Sequence, residues 1–129
     1  RQWRFRQMSE AKRAARAFGL RAETLAALWL QGQFFRILDR NYRVQGGEID
    51  IVAQRGRLIV FVEVKARADV ETAALAITPG KQRRIQRAVH HWLGRHPQAA
   101  GCALRADAIL IAPGKFPRRI EGMFDLSTT

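Results

Sequence analysis

Two runs rich in β-branched residues decide the fold: Gly46-Gly47-Glu48-Ile49-Asp50-Ile51-Val52-Ala53 and Leu58-Ile59-Val60-Phe61-Val62-Glu63-Val64-Lys65. Only Gln54-Arg55-Gly56-Arg57 separates them, which predicts an antiparallel hairpin that turns at Arg55-Gly56. A two-residue loop at that place would pair Glu48 with Glu63 and Asp50 with Phe61.

Side chains alternate between the two faces of a strand, so the same register predicts what each face carries. One face is wholly apolar and holds Ile49, Ile51, Ala53, Leu58, Val60, Val62 and Val64. The other holds Glu48, Asp50, Glu63 and Lys65 beside Val52, Ile59 and Phe61. Because a slip of one residue would mix the two sets, their separation supports the predicted register.

The rest of the chain predicts two helices and three more strands. Apolar residues at positions 22, 25, 26, 29 and 30 have helical spacing, and Thr78-Pro79 predicts the start of a helix over residues 79–94. Strands are expected at 36–42, 105–111 and 119–124. A βαβ crossover from strand 58–65 to strand 105–111 makes the expected sheet mixed, within an α/β fold flanked by helices.

The length of 129 residues indicates one domain, which we place at 19–129 after a basic arm at 1–18. The lone Cys102 cannot form an internal disulfide and fits a reducing, cytoplasmic setting. The longest apolar run, Leu25 to Leu30, is far shorter than a membrane span, so no membrane association is expected.

The charge balance predicts a polyanionic partner. The chain has 23 Lys and Arg against 11 Asp and Glu, a formal net charge of +12, and 19 of its bases are arginines. Arginine suits bidentate contacts with phosphate, so nucleic acid is favoured over a membrane surface. The alternative is a small basic domain with no dedicated partner.

Three of the few acids, Glu48, Asp50 and Glu63, are predicted to share one hairpin face. Adjacent half-buried carboxylates repel one another and lose solvation, and a divalent cation such as Mg²⁺ or Mn²⁺ relieves both costs. Lys65 follows on the same face, where it can stabilise developing negative charge or orient a water. The alternative is a surface hairpin with solvated acids and an ordinary Glu–Lys pair.

Asp50, a gap of twelve residues and then Glu63-Val64-Lys65 match the D…(D/E)-x-K signature of the restriction-endonuclease-like nucleases. The hairpin runs, together with Glu23, Asn41-Tyr42-Arg43, Thr78 and Lys81-Gln82-Arg83-Arg84, extend the match over residues 19–111. Over that range the chain resembles the YraN family of small bacterial proteins, which are similar to archaeal Holliday junction resolvases. The resemblance implies a restriction-endonuclease-like αβββαβ core.

The resemblance also implies roles for individual residues. Asp50 and Glu63 become metal ligands, helped by the Val64 carbonyl, and Lys65 becomes the charge-stabilising or water-orienting residue. Glu23 from the first helix completes the acidic cluster, although alone it would be read as a solvated helix residue. Glu48 is a candidate for holding a second metal or a water.

Two departures from the family pattern affect neighbouring positions. Ile49 stands where the signature often has proline before Asp50. Alanine at position 106 stands where the family usually has an aromatic residue, which leaves a role for Asp107 in doubt.

Bases cluster at the start of the second predicted helix, where free backbone amides and the helix dipole also favour phosphate. We expect nucleic-acid contacts there and on neighbouring segments. The candidates are Lys81, Arg83, Arg84, Arg87, Arg43 and Arg67, with Arg13, Arg16 and Arg21 as an extension along the arm. Taken singly, each arginine is better explained as a solvated surface charge, and it is the set, with no acid among residues 79–96, that favours phosphate contact.

These expectations together describe a Mg²⁺-dependent endonuclease that hydrolyses phosphodiester bonds in DNA, with branched or junction DNA among the candidate substrates. Resolving a junction needs two sites, hence normally a homodimer, but no residue here identifies a dimer face. One alternative is a non-catalytic nucleic-acid-binding module on a nuclease fold. Another is a basic protein that binds RNA or the ribosome.

Overall fold

The computed structural model describes residues 21–67 and 77–126. In chain order its elements are α1 (residues 21–32), β1 (Arg36–Val44), β2 (Gly47–Arg55), β3 (Leu58–Ala66), α2 (Pro79–Arg95), a 3₁₀ turn (Pro97–Ala99), β4 (Ala103–Ile111) and β5 (Arg118–Phe124). The five strands form one sheet in the order β1-β2-β3-β4-β5. Only β3 and β4 pair in parallel among these neighbours. The predicted α/β fold, with its mixed sheet and αβββαβ core, is confirmed.

Each helix covers its own apolar core on the sheet. Ala22, Ala26 and Leu30 of α1 pack with Val60 and Val62 of β3. A second cluster joins Ile85, Ala88, Val89 and Trp92 of α2 to Val52, Ile59 and Phe61 of the hairpin. Alternation along β2 and β3 therefore supplies two cores, and it leaves the hairpin's acids near the edge where the strands separate.

The hairpin turns one residue later than predicted. Arg55 pairs with Leu58, so the loop residues are Gly56 and Arg57. Gly56 has a φ of +60°, and glycine at the first central position is what a type II′ hairpin turn requires. The pairing shifts by two positions in sum, so the paired residues keep their predicted faces.

Two apolar positions also differ from prediction. Ile49 packs in the α2 cluster and not with Ile51, at a place where the ladder between β2 and β3 has already ended. Leu25 is 51 % exposed, and Ala27 is buried in its stead.

The second helix begins where the sequence predicts. Thr78 is its N-cap, and the Thr78 hydroxyl accepts a hydrogen bond from the Lys81 amide at 3.3 Å. This cap fixes the first turn of α2 beside the open end of the β2–β3 hairpin. In the part of the chain that is described, no helix is both long enough and apolar enough to cross a membrane. The predicted arm at 1–18 lies outside the described residues.

Candidate active site

The site forms where β2 and β3 part. Beyond Ile51–Val62 the two strands no longer pair, and the Val64 amide donates a hydrogen bond to Asp50 Oδ2 at 2.8 Å. This bond holds the Asp50 carboxyl against β3, close enough to Glu63 for the charges of the two acids to interact. The two acids therefore converge, as the sequence predicts, although Asp50 does not pair with Phe61 in the strand register.

The environment of Asp50 opposes its ionisation. The pKa of Asp50 is raised from 3.8 to about 8. Burial is the largest cause of this rise, the charge of Glu63 is the next, and the charge of Glu23 contributes less. The Val64 amide acts in the opposite direction, because it stabilises the carboxylate. Without a cation, the site thus favours a protonated Asp50 at neutral pH.

Glu63 is buried and is compensated from one side only. Its side chain is 2 % exposed, and its Oε1 atom lies 3.0 Å from Lys65 Nζ and 3.5 Å from Lys81 Nζ. Its other oxygen, Oε2, is buried with no hydrogen-bond partner. A buried carboxylate oxygen without a partner is costly, so this atom marks a place for a cation or another donor.

Lys81 links Glu63 to Glu48. Lys81 Nζ lies 3.4 Å from Glu48 Oε1, and Glu48 Oε2 lies 3.9 Å from Arg43 Nε. Burial lowers the pKa of Lys81, but the charges of Glu63 and Glu48 outweigh that effect and the net result is a raised pKa. Lys81 was expected to contact nucleic acid from the surface; the structure places it inside the acidic site.

Glu23 approaches the same site from α1. Its charge contributes to the raised pKa of Asp50, and its Oε2 atom is buried without a hydrogen-bond partner. We call Glu23, Glu48, Asp50 and Glu63 the carboxylate cluster. Helix α1, the hairpin and the first turn of α2 all contribute to it or to its counter-charges.

The chemistry of the carboxylate cluster fits a hard divalent cation. Its donors are all oxygens, the ligands that Mg²⁺ and Mn²⁺ prefer, and two of those oxygens are buried without partners. Within residues 21–67 and 77–126, no group of three or more His, Cys, Asp or Glu is gathered closely enough to hold a metal ion as it stands. Binding would therefore draw Glu23, Asp50 and Glu63 closer and loosen the lysines from Glu63.

The other predicted nucleic-acid contacts that the structure describes are surface residues. Arg43 on β1 is exposed, as are Arg83, Arg84 and Arg87 on α2 and Arg67 just after β3. Arg21 is exposed at the start of the described part of α1, whereas Arg13 and Arg16 lie outside the described residues.

Asp107 has a structural environment. It is completely buried, and its two oxygens accept hydrogen bonds from Arg105 Nε and NH2 at 2.8 and 2.9 Å. Oδ1 also accepts from the Gly122 amide at 3.0 Å. These bonds fasten β5 to β4 and satisfy both carboxylate oxygens, so Asp107 stabilises the sheet.

A polar pair between β1 and α2 was not predicted from the sequence. The Tyr42 hydroxyl on β1 lies 2.5 Å from His91 Nδ1 on α2. Arg84, Arg87 and His91 recur at spacings of three and four residues, which places them along one face of the helix. That spacing was the available signal, but only the packing of β1 against α2 reveals the partner.

The fold and the site define a class of protein: a mixed α/β domain whose acids gather at the open end of a central hairpin. The chain belongs to the Uncharacterised protein family UPF0102, whose model matches residues 22–111. This is the YraN family that the sequence motifs indicated.

The similarity to members of that family covers most of the chain. A UPF0102 protein of Rhodopseudomonas palustris is 53 % identical over 115 residues, which are 89 % of this chain and 88 % of the relative. A UPF0102 protein of Methylorubrum extorquens is 49 % identical over 115 residues, covering 89 % and 90 %. One of Bradyrhizobium diazoefficiens is 51 % identical over 115 residues, covering 89 % and 86 %.

Proposed function

We propose that this protein is a divalent-metal-dependent hydrolase of phosphodiester bonds, and specifically an endonuclease acting on DNA. The observation that carries the proposal is the convergence of Asp50 and Glu63 in a buried site beside Lys65, with one Glu63 oxygen left unpartnered. Such a site is destabilising to the fold unless a cation compensates it, which supports a functional origin.

Asp50, Glu63 and Glu23 would hold the cation, together with the Val64 carbonyl. A bound divalent ion supplies activation of water and neutralisation of charge on the phosphate. Asp50 is held for this role by the Val64 amide, which fixes one carboxyl oxygen against β3 beside Glu63. The pairing of Glu63 with two lysines stands in for part of that positive charge when no ion is bound.

The lysines have separate tasks. Lys65 Nζ, 3.0 Å from Glu63, is positioned to orient the attacking water or to stabilise charge that develops on the phosphate oxygens. Lys81 is shared between Glu48 and Glu63, so an ion at Glu63 would free its ammonium group to contact phosphate. Glu48 would then hold a water or a second ion.

The proposed substrate class follows from charge. The formal net charge is +12, exposed Arg43 of β1 lies 3.9 Å from Glu48, and α2 carries further exposed arginines on the helix that brings Lys81 to the carboxylate cluster. Such a surface attracts a nucleic-acid backbone and concentrates it at the acidic site. We favour DNA over RNA, a cytoplasmic setting, and a homodimer if the substrate is a four-way junction.

One observation favours a second candidate, a non-catalytic nucleic-acid-binding module. Glu63 Oε1 already contacts two ammonium groups, so the site is partly compensated by the protein itself. That candidate predicts DNA binding that weakens with salt, and no Mg²⁺-dependent cleavage of any substrate. A competition between DNA and RNA of one sequence separates the DNA proposal from an RNA-binding protein.

The test is a cleavage assay on end-labelled linear, flapped and four-way DNA with Mg²⁺ or Mn²⁺, and with EDTA as a blank. We expect cleavage by the wild type and at least a hundred-fold loss in D50N, E63Q and K65M. E121Q and K115M are matched controls, because they remove an exposed acid and an exposed lysine outside the site.

DNA affinity measured in EDTA should change little in the three site variants. Wild-type activity retained by any of them would overturn the assigned roles. Binding without cleavage by the wild type on every substrate would favour the non-catalytic candidate.

A further inference from the structure

A basic cleft lies between the β1–β2 turn and α2. The cleft is lined on one side by residues at the β1–β2 turn and on the other by residues of α2: Arg43, Val44, Gln45, Arg87, His90 and His91. Its volume is about 580 Å³. Two arginines and two histidines thus face the cleft among these six residues, with no acid, and this composition suits an anion.

The glycine pair explains why the turn lies so close to the helix. A Cβ atom on Gly47 would lie 2.5 Å from the Arg84 carbonyl oxygen and 2.9 Å from the Ala88 nitrogen. Gly46 has a φ of +78°, which glycine adopts without strain, and its carbonyl lies 3.4 Å from Arg87 NH1. The Gly-Gly sequence therefore docks the turn on α2 and fixes the width of the cleft.

The cleft is built from side chains in defined positions. His91 is held by its contact with the Tyr42 hydroxyl, and the two rings lie 5.8 Å apart. The Arg87 guanidinium is anchored against the Gly46 carbonyl. Groups held in place before a ligand arrives lose less freedom on binding, which favours a specific anion site over a diffuse basic surface.

The cleft is also continuous with the carboxylate cluster. Arg43 lies at the cleft and at the same time 3.9 Å from Glu48, which in turn pairs with Lys81 and through it reaches Glu63. Glu48 therefore separates two regions, one acidic and able to hold a cation, the other basic. A polyanionic strand could occupy both with successive phosphates.

We propose that this cleft binds a non-scissile backbone phosphate of the DNA strand that is cut, through Arg43, Arg87 and His91. The inference rests on the proposed function, because it assigns a subsite for the same substrate. It goes beyond the expected roles of the individual arginines by naming one phosphate position and its anchors. The cleft sets how the strand is placed relative to the carboxylate cluster.

The experiment measures binding without cleavage. Anisotropy of fluorescein-labelled duplex and four-way DNA is recorded in EDTA across a salt series for the wild type, R43Q and R87Q. R118Q is the matched control, because Arg118 is exposed on β5 at the opposite edge of the sheet. Thermal unfolding of each variant checks that the fold is retained.

We expect R43Q and R87Q each to weaken binding about three- to ten-fold and to make the slope of log K against log salt less steep, by up to about 0.9, the value for complete loss of one phosphate contact. R118Q should leave the slope unchanged. Slopes of R43Q and R87Q equal to that of R118Q would overturn the cleft assignment.

The two proposals fail separately. If the salt dependence of R43Q and R87Q weakens as expected but the wild type cuts no DNA with Mg²⁺ or Mn²⁺, the proposed hydrolase activity is wrong and the proposed phosphate subsite is retained. If the wild type cuts DNA and both cleft variants bind and cut as it does, the subsite is wrong and the hydrolase stands.

Discussion

Replacement of Asp50 by asparagine should stabilise the cation-free protein at alkaline pH. Asparagine keeps an oxygen to accept from the Val64 amide and adds a donor for Glu63, so the local hydrogen bonds survive. What is removed is an acid whose pKa is raised to about 8, chiefly by burial and then by the charge of Glu63.

The sign and size follow from proton linkage. Between pH 4 and pH 8 the native Asp50 retains a proton that the unfolded chain releases, so the stability of the wild type falls as pH rises through this range. A rise from 3.8 to about 8 corresponds to about 6 kcal/mol as an upper bound. Because Asp50 is only half-buried and its neighbours can relax, we expect D50N to gain about 1–3 kcal/mol at pH 8.5.

The assay is thermal unfolding in EDTA at pH 5 and pH 8.5. At about 3–5 °C per kcal/mol for a domain of this size, D50N should melt roughly 3–15 °C above the wild type at pH 8.5 and by a much smaller margin at pH 5. D125N, which removes an exposed carboxylate after β5, is the control. An equal difference at both pH values, or a D50N protein that is less stable at pH 8.5, would refute the reasoning.

Three further predictions concern packing and charge. Gly47→Ala should destabilise the fold by about 2–3 kcal/mol, because the added Cβ would lie 2.5 Å from the backbone of α2. Gly94→Ala should be neutral or stabilising by about 0.5–1 kcal/mol, since nothing lies within 4 Å of its added Cβ. Chemical denaturation measures both free energies of unfolding, and equal effects would contradict the packing argument. Asp107→Ala should cost about 3 kcal/mol in the same assay, because it removes the buried carboxylate that accepts from the Arg105 guanidinium and the Gly122 amide. A loss below about 1 kcal/mol would argue against a structural role. Lys81→Met should enlarge the rise in Tm that Mn²⁺ produces, because one of the two ammonium groups that compete with the ion for Glu63 is removed. A smaller rise than in the wild type would show that Lys81 supports ion binding and does not compete with it.

Much of the fold was predictable because its signals are local. The alternation in the hairpin and the Thr78-Pro79 start of α2 come from residue types whose backbone preferences are strong. The turn position was missed by one residue, since Arg55-Gly56 and Gly56-Arg57 differ only in whether glycine takes the first or the second loop position.

The site was harder to predict, because it depends on contacts between distant elements. That Asp50 and Glu63 converge follows from strand alternation, but the separation of β2 from β3 and the Val64–Asp50 hydrogen bond do not. Lys81 was expected at the surface because it belongs to a run of bases. Its direction is set by the packing of α2 on the hairpin, which no periodicity in the helix alone specifies.

Mn²⁺ titration followed by electron paramagnetic resonance, on the wild type and on E63Q without DNA, tests most directly whether Asp50 and Glu63 share a divalent cation. We predict that the wild type binds Mn²⁺ at one tight site per chain, and that E63Q loses at least ten-fold in affinity at that site. Mn²⁺ binding that is absent from the wild type, or equally tight in E63Q, would contradict the metal site on which the proposed hydrolase depends.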